Sequence, residues 1–89
     1  MAFQSKDLSV IAYANGFTLW HYATEDLDTV VDGSGYFDEA TDMLRKGDIL
    51  IANTDTDGTF KTGLLAVVSN LNGVVDVSDL TALSTTNTD

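Results

Sequence analysis

Cysteine and proline are absent, histidine occurs once, and only four of 89 residues are basic. Each absence removes a class of explanation. Without Cys there is no disulfide, and a lone His21 provides no Cys/His cluster for a structural metal. Without Pro, the turns fall to Gly, Asn and Asp. Lys6, Arg45, Lys46 and Lys61 stand against fourteen acids, giving a net charge of −10. That balance argues against nucleic acid, which needs clustered Lys and Arg to neutralise phosphates. No apolar run approaches the roughly 20 residues that span a bilayer, so no membrane partner is expected. Met1-Ala2-Phe3-Gln4-Ser5-Lys6-Asp7 lacks a basic region followed by an apolar core and does not read as a secretion signal. Synthesis and first folding in a cytoplasm are expected.

What is present suits one small folded unit spanning residues 1–89. The hydrophobic fraction is 44%, ample for a core. So short a chain buries a modest share of its surface, so stability has to come from tight packing, oligomerisation or docking on a partner. Charge is unevenly placed. Residues 25–57 hold ten acids and two bases, a sum of −8, whereas residues 1–24 sum to zero. One face or rim is therefore expected to be strongly negative, either for solubility alone or to repel other polyanions.

Residues 1–7 carry little periodicity and read as an arm or an early edge strand. Leu8 to Ala14 reads as a strand ended by Asn15-Gly16, a strong hairpin signal. Phe17 to Ala23 follows as a second strand, rich in aromatic and β-branched residues. Its period of two points Phe17, Leu19 and His21 one way and Thr18, Trp20 and Tyr22 the other. Both faces are largely apolar, which predicts a central strand or one covered by a partner. Thr24-Glu25-Asp26 offers N-caps to a short helix carrying Leu27, Val30 and Val31, with Gly33 at its end. A second short helix is predicted from Asp38 to Arg45, with Ala40, Met43 and Leu44 as its apolar face and Gly47 closing it. Residues 48–52 and 59–69 are apolar runs of strand character, separated by a turn with Asp57-Gly58 at its tip. Asn70-Leu71-Asn72-Gly73 predicts a further hairpin into Val74-Val75-Asp76-Val77, and an Asp79-capped final turn follows. Residues 84–89 form a polar tail, expected to be loose until a partner fixes it. The expected class is mainly β, a β-rich α+β fold: a small antiparallel barrel or sandwich with two short helices.

Candidate chemistry is sparse. Asn53, Asp55, Asp57 and Gly58 match the first positions of an EF-hand loop, but the position that needs a bidentate acid is Leu64. A hairpin turn explains these residues better. Asn72, Asp76 and Asp79 resemble part of a dockerin calcium loop that lacks two ligand positions and a second copy. His21 has neither a Cys nor a second His with which to build a metal or nucleophile site, and nothing pairs it with a particular Ser. The acids sit in caps and turns, and the glycines lack phosphate-loop spacing. No catalytic, cofactor-binding or metal-ligating residue is assigned, and the chain is expected not to be an enzyme.

One segment does carry a pattern. Leu19-Trp20-His21-Tyr22-Ala23-Thr24-Glu25-Asp26, Val30, Gly35-Tyr36-Phe37, Ala40, Met43-Leu44 and Gly47-Asp48-Ile49-Leu50-Ile51 lie within residues 17–52. This series resembles small virion proteins of tailed bacteriophages, of the capsid decoration, cement or head-fibre kind. The resemblance implies a structural protein on the capsid exterior, a trimer that bridges subunits of the major capsid protein. It also implies contacts through the apolar strand faces and the sheet edges, with Phe3, Phe17, Trp20, Tyr22, Tyr36 and Phe37 as candidate contact residues. The alternatives are a tail, neck or fibre-base component, a calcium-dependent binding module using the acids above, and a small hydrolase built on His21.

Overall fold

The computed structural model describes residues 3–84. Six strands form one mixed sheet: β1 (Leu8–Ala14), β2 (Phe17–Ala23), β3 (Ile49–Thr54), β4 (Lys61–Leu71), β5 (Val74–Val77) and β6 (Thr81–Ala82). The order is β1-β2-β3-β4-β5, with β6 alongside β4 next to β5. The strand-rich class with short helices is therefore as expected. The all-antiparallel expectation is corrected, because β2 and β3 run parallel, from Leu19 opposite Ile49 to Ala23 opposite Asn53. Parallel neighbours cannot be joined by a hairpin. Residues 24–48 provide the crossover, and its short helices cover one face of the sheet. Among the described pairings β1 and β5 are the two ends of the path, with no pair closing a barrel.

The strand boundaries follow local chemistry. Gly16 takes φ 92° in the β1–β2 turn. Asn72 and Gly73 both take positive φ (54° and 81°), the conformation of the type I′ hairpin that joins β4 to β5. β4 begins and ends two residues later than its predicted run, and it pairs with β3 through its first half and with β5 through its second. Beyond Val77 the predicted final turn is instead the short strand β6.

The helices are shorter than predicted. α1 is only Asp28–Val31, and its N-cap is Leu27 with no side-chain cap. The candidate caps serve elsewhere: Thr24 Oγ1 accepts the Asp26 N–H, and the Asp26 carboxylate accepts the Tyr36 hydroxyl. The Asp38–Arg45 helix is reduced to a 3-10 turn, Asp38–Ala40, plus one further turn. Two side chains divert its backbone groups. Asn70 Nδ2 donates to the Thr41 and Leu44 carbonyls, and Asp48 accepts the Arg45 N–H. Local side-chain partners compete with helical ones in this way.

The core lies between the sheet and the crossover. From the sheet come Leu8, Trp20, Tyr22, Leu50, Ala52, Leu65, Val67, Val75 and Val77; from the crossover come Val31, Phe37, Ala40 and Leu44. Phe3 enters the same core, stacked on Tyr22 at 5.5 Å and edge-on to Phe37. The N-terminal segment from Phe3 is thus no free arm: it is anchored by this ring and continues as a 3-10 turn, Ser5–Asp7. The predicted loose tail falls, beyond Ser84, outside the described residues.

Candidate interaction surface

Four of the six candidate contact aromatics lie inside the molecule. Phe3, Trp20, Tyr22 and Phe37 are each at most 7% exposed and cannot meet a partner without unfolding. This corrects the expectation drawn from the aromatic pattern. Phe17 and Tyr36 are partly exposed. The aromatics gather because β2 sends Trp20 and Tyr22 to its crossover face, while Gly35, at φ 86°, turns Tyr36 and Phe37 back onto that face. Edge-to-face contacts of 5.0–6.4 Å then join Phe3, Tyr22, Tyr36 and Phe37.

Two polar devices lock this core. Asp48 is 2% exposed, and its carboxylate accepts the Thr18 N–H at 3.0 Å, the Trp20 Nε1–H at 3.0 Å and the Arg45 N–H at 3.1 Å. Tyr36 donates to Asp26 at 2.6 Å, its oxygen lies 2.8 Å from that of Tyr22, and the Gln4 N–H donates to Tyr22. Burial, and then the bond to Asp26, push the Tyr36 hydroxyl far above the ordinary phenol range. Other acids of the crossover accept backbone N–H groups from the far edge: Asp38 from Val75 and Asp32 from Leu80. Within the segment that carries the virion-protein resemblance, Trp20, Tyr22, Asp26, Tyr36, Phe37 and Asp48 hold the fold through these contacts, while Leu19, His21, Ile49 and Ile51 lie on the opposite face of the sheet.

The opposite face of the sheet has a different character. Register places Ala12, Leu19, Ile49 and Ala66 in one row, and Ser9, His21, Ile51, Leu64 and Thr81 in the next. Ala23, Asn53 and Thr62 form a third. No Asp, Glu, Lys or Arg occurs in these rows, although the chain carries eighteen such residues. Leu19, Ile49 and Ile51 are half-buried by their neighbours alone, and Leu64 and Ala66 are exposed. The polar members bond to one another: Asn53 Nδ2 lies 2.9 Å from His21 Nε2, and Thr62 Oγ1 donates to Asn53 Oδ1 at 2.5 Å. His21 is thereby committed to an amide within the sheet.

β1 borders this face as an edge strand, and six of its seven residues are exposed. Val10, Ile11 and Tyr13 are 56%, 51% and 73% exposed, and the strand contains no charge. Among the described residues, a bulge between Val10 and Ala12 is what blunts this edge. The sequence pointed to apolar strand faces through the alternation of Phe17, Leu19 and His21 with Thr18, Trp20 and Tyr22, but not to which of the two faces stays open or to the β1 edge.

Of the calcium candidates, Asn53 lies in β3 and Asp76 in β5, and the others lie in the connections between strands. Asp55 takes φ 52° and its carboxylate accepts the Thr59 N–H, closing its own loop. Among the described residues no three His, Cys, Asp or Glu side chains are grouped to hold a metal ion. Two open clefts of about 400 and 450 Å³ flank the N-terminal segment, one lined by Gln4, Lys6 and Thr24, the other by Phe3, Gly35 and Tyr36. His21 lies in neither lining. No helix among the described residues is long and apolar enough to cross a membrane. No protein-family model, curated protein or solved structure matches the chain.

Proposed function

We propose that the chain is a non-enzymatic structural component of a bacteriophage virion. In this reading it is a decoration or cement protein on the capsid exterior that oligomerises, as a trimer at three-fold positions, and bridges major capsid subunits. One observation carries the reading: the surface is divided between an acidic crossover side and an uncharged sheet face bordered by an apolar edge strand. The uncharged side suits docking by buried apolar area and by strand pairing at β1. The acidic side, turned to solvent, would avoid other polyanions. The sequence resemblance over residues 17–52 supports the same reading. Repetition over a symmetric shell then multiplies weak contacts into a strong hold.

The test is to add purified chain to empty shells that lack it, sediment them, and count bound copies. Saturation at shell-wide stoichiometry with raised shell resistance to heat is the expected result. Binding at a handful of sites would mean a tail or vertex component instead. No binding to shells of the phage that encodes it would overturn the proposal.

A further inference from the structure

Two hairpin tips carry Asn-Gly, Asn15-Gly16 between β1 and β2 and Asn72-Gly73 between β4 and β5, and their surroundings differ. We propose that Asn15 is a modification site: in the folded chain it deamidates spontaneously to aspartate and isoaspartate, ahead of Asn72. The proposal concerns the chemistry of the chain alone and stands apart from the virion reading. The reactants are the chain and water. The Gly16 backbone nitrogen attacks Cγ of Asn15, and the new N–Cγ bond closes a five-membered succinimide. The bond from Cγ to the side-chain nitrogen breaks, and ammonia leaves with the proton that Gly16 gives up. Water then opens one of the two imide bonds. Opening at Cγ gives aspartate; opening at the main-chain carbonyl gives isoaspartate, with the side-chain methylene inserted into the backbone. Glycine suits the attack because no Cβ shields its nitrogen.

The structure sorts the four positions where Asn or Asp precedes glycine. At Asp32-Gly33 and Asp57-Gly58 the nucleophile is engaged: the Gly33 N–H donates to the Val30 carbonyl at 3.1 Å, and the Gly58 N–H to the Asp55 carbonyl at 3.0 Å. Asp32 is held further by the Leu80 N–H. Among the described residues the Gly16 and Gly73 N–H groups have no acceptor, and both Asn-Gly pairs are exposed. Ring closure then requires the glycine nitrogen to lie beneath Cβ. Of the standard hairpin turns only type II′ comes near that arrangement. Neither tip is one: Asn15 lacks the positive φ that type II′ needs, and Gly73 has φ 81° where type II′ needs a negative value. Each tip must therefore open locally before it reacts, and the looser one reacts first.

The strands behind the tips decide the order. The Asn72 tip is pinned. Val75 and Val77 of β5 are buried, the Val75 N–H donates to Asp38 at 3.0 Å, and Asn70 donates to the Thr41 and Leu44 carbonyls. The Asn15 tip closes an edge strand instead. Residues 9–16 are all exposed, and the bulge between Val10 and Ala12 interrupts the pairing close to the tip. Charge acts in the same direction. The attacking nitrogen must lose a proton, which neighbouring carboxylates oppose. Residues 8–24 contain no Asp or Glu, whereas Asp76 follows Asn72 within the same hairpin. Both products place a carboxylate on a hairpin that has none. Isoaspartate also lengthens a two-residue loop, so the pairing of Ala14 with Phe17 no longer fits its turn and β1 frays.

Ageing the purified full chain at mildly alkaline pH, with a parallel sample in guanidinium chloride, tests this by mass-spectrometric peptide mapping. In buffer, the mass gain of an amide-to-acid exchange is expected at least about tenfold faster at Asn15 than at Asn72, the ratio for a difference of about 1.4 kcal/mol in local opening. In guanidinium, where both tips are open, the two rates should converge. Asn15→Ser should abolish the early gain and leave the Trp20 fluorescence of the folded chain unchanged. In the isoaspartyl fraction, separated by anion exchange, amide exchange along β1 should quicken. Equal rates in buffer, or Asn72 reacting first, overturn the proposal. So does a ratio in guanidinium that matches the one in buffer, because local opening would then not set the order. No conversion at Asn15 over a period in which the denatured chain converts overturns it as well.

Discussion

Asp48 shows how one side chain can decide a fold. Its two oxygens take three N–H donors from β2 and from the turn that precedes β3, so they fix where the parallel pair begins. Asp48→Ala would leave the buried Trp20 indole and two amides without an acceptor, at a cost of about 3 kcal/mol in total. Urea unfolding followed by Trp20 fluorescence should show that loss, and Asp48→Asn a smaller one. Tyr36 makes a second prediction. Because folding raises its ionisation well above the unfolded value of about 10, its contribution is complete below pH 10 and declines as pH rises beyond it. Stability measured from pH 8 to pH 12 should therefore fall steeply above pH 10, and Tyr36→Phe should flatten that fall. At this scale the sequence was partly legible. An acid between Gly47 and an apolar run marks a special position, but nothing local says that Trp20, far away in the chain, is its partner.

Strands were read more faithfully than helices, for a physical reason. β1, β2 and β5 are bounded by Asn-Gly turns or by clear composition changes, and alternation within β2 sorts its two faces. Helix lengths depend on where caps are used; Thr24 closes a local turn onto the Asp26 N–H, and Asp26 and Asp38 find tertiary partners. The parallel pairing had a signal that the reading did not weigh: a connection of residues 24–48 carrying helical turns is a crossover, not a hairpin. β6 lacked any signal, because two residues cannot display a period. Its seat is made by Gly63, where a Cβ would lie 2.6 Å from the Thr81 carbonyl and 2.7 Å from the Leu80 side chain. Gly63→Ala is expected to displace β6 and lower stability by about 1–3 kcal/mol. Faster amide exchange at Leu83, which donates to the Thr62 carbonyl, would report the displacement.

Charge is a property of the whole molecule, and it makes assembly depend on ionic strength. Screening shortens from about 30 Å at 0.01 M salt to about 8 Å at 0.15 M. Self-assembly of a −10 chain through an uncharged face should therefore tighten with salt, whereas capture of a basic partner should weaken. Sedimentation at the two concentrations separates the cases by the sign of the change. The candidate surface was only half legible in the sequence: composition announced an acidic protein, but which side stayed neutral depended on the register of β2, β3 and β4. The parallel pair has one further consequence, for the order of events during synthesis. The β1–β2 hairpin is complete long before Ile49 emerges from the ribosome, and the ring of Phe3, stacked on Tyr22, lacks its other wall until Phe37 arrives. Closing so wide a loop is slow compared with forming a hairpin. The nascent chain must therefore wait with its most adhesive strand uncovered, and the time spent in that state, more than the final fold, sets how well it survives production at high concentration.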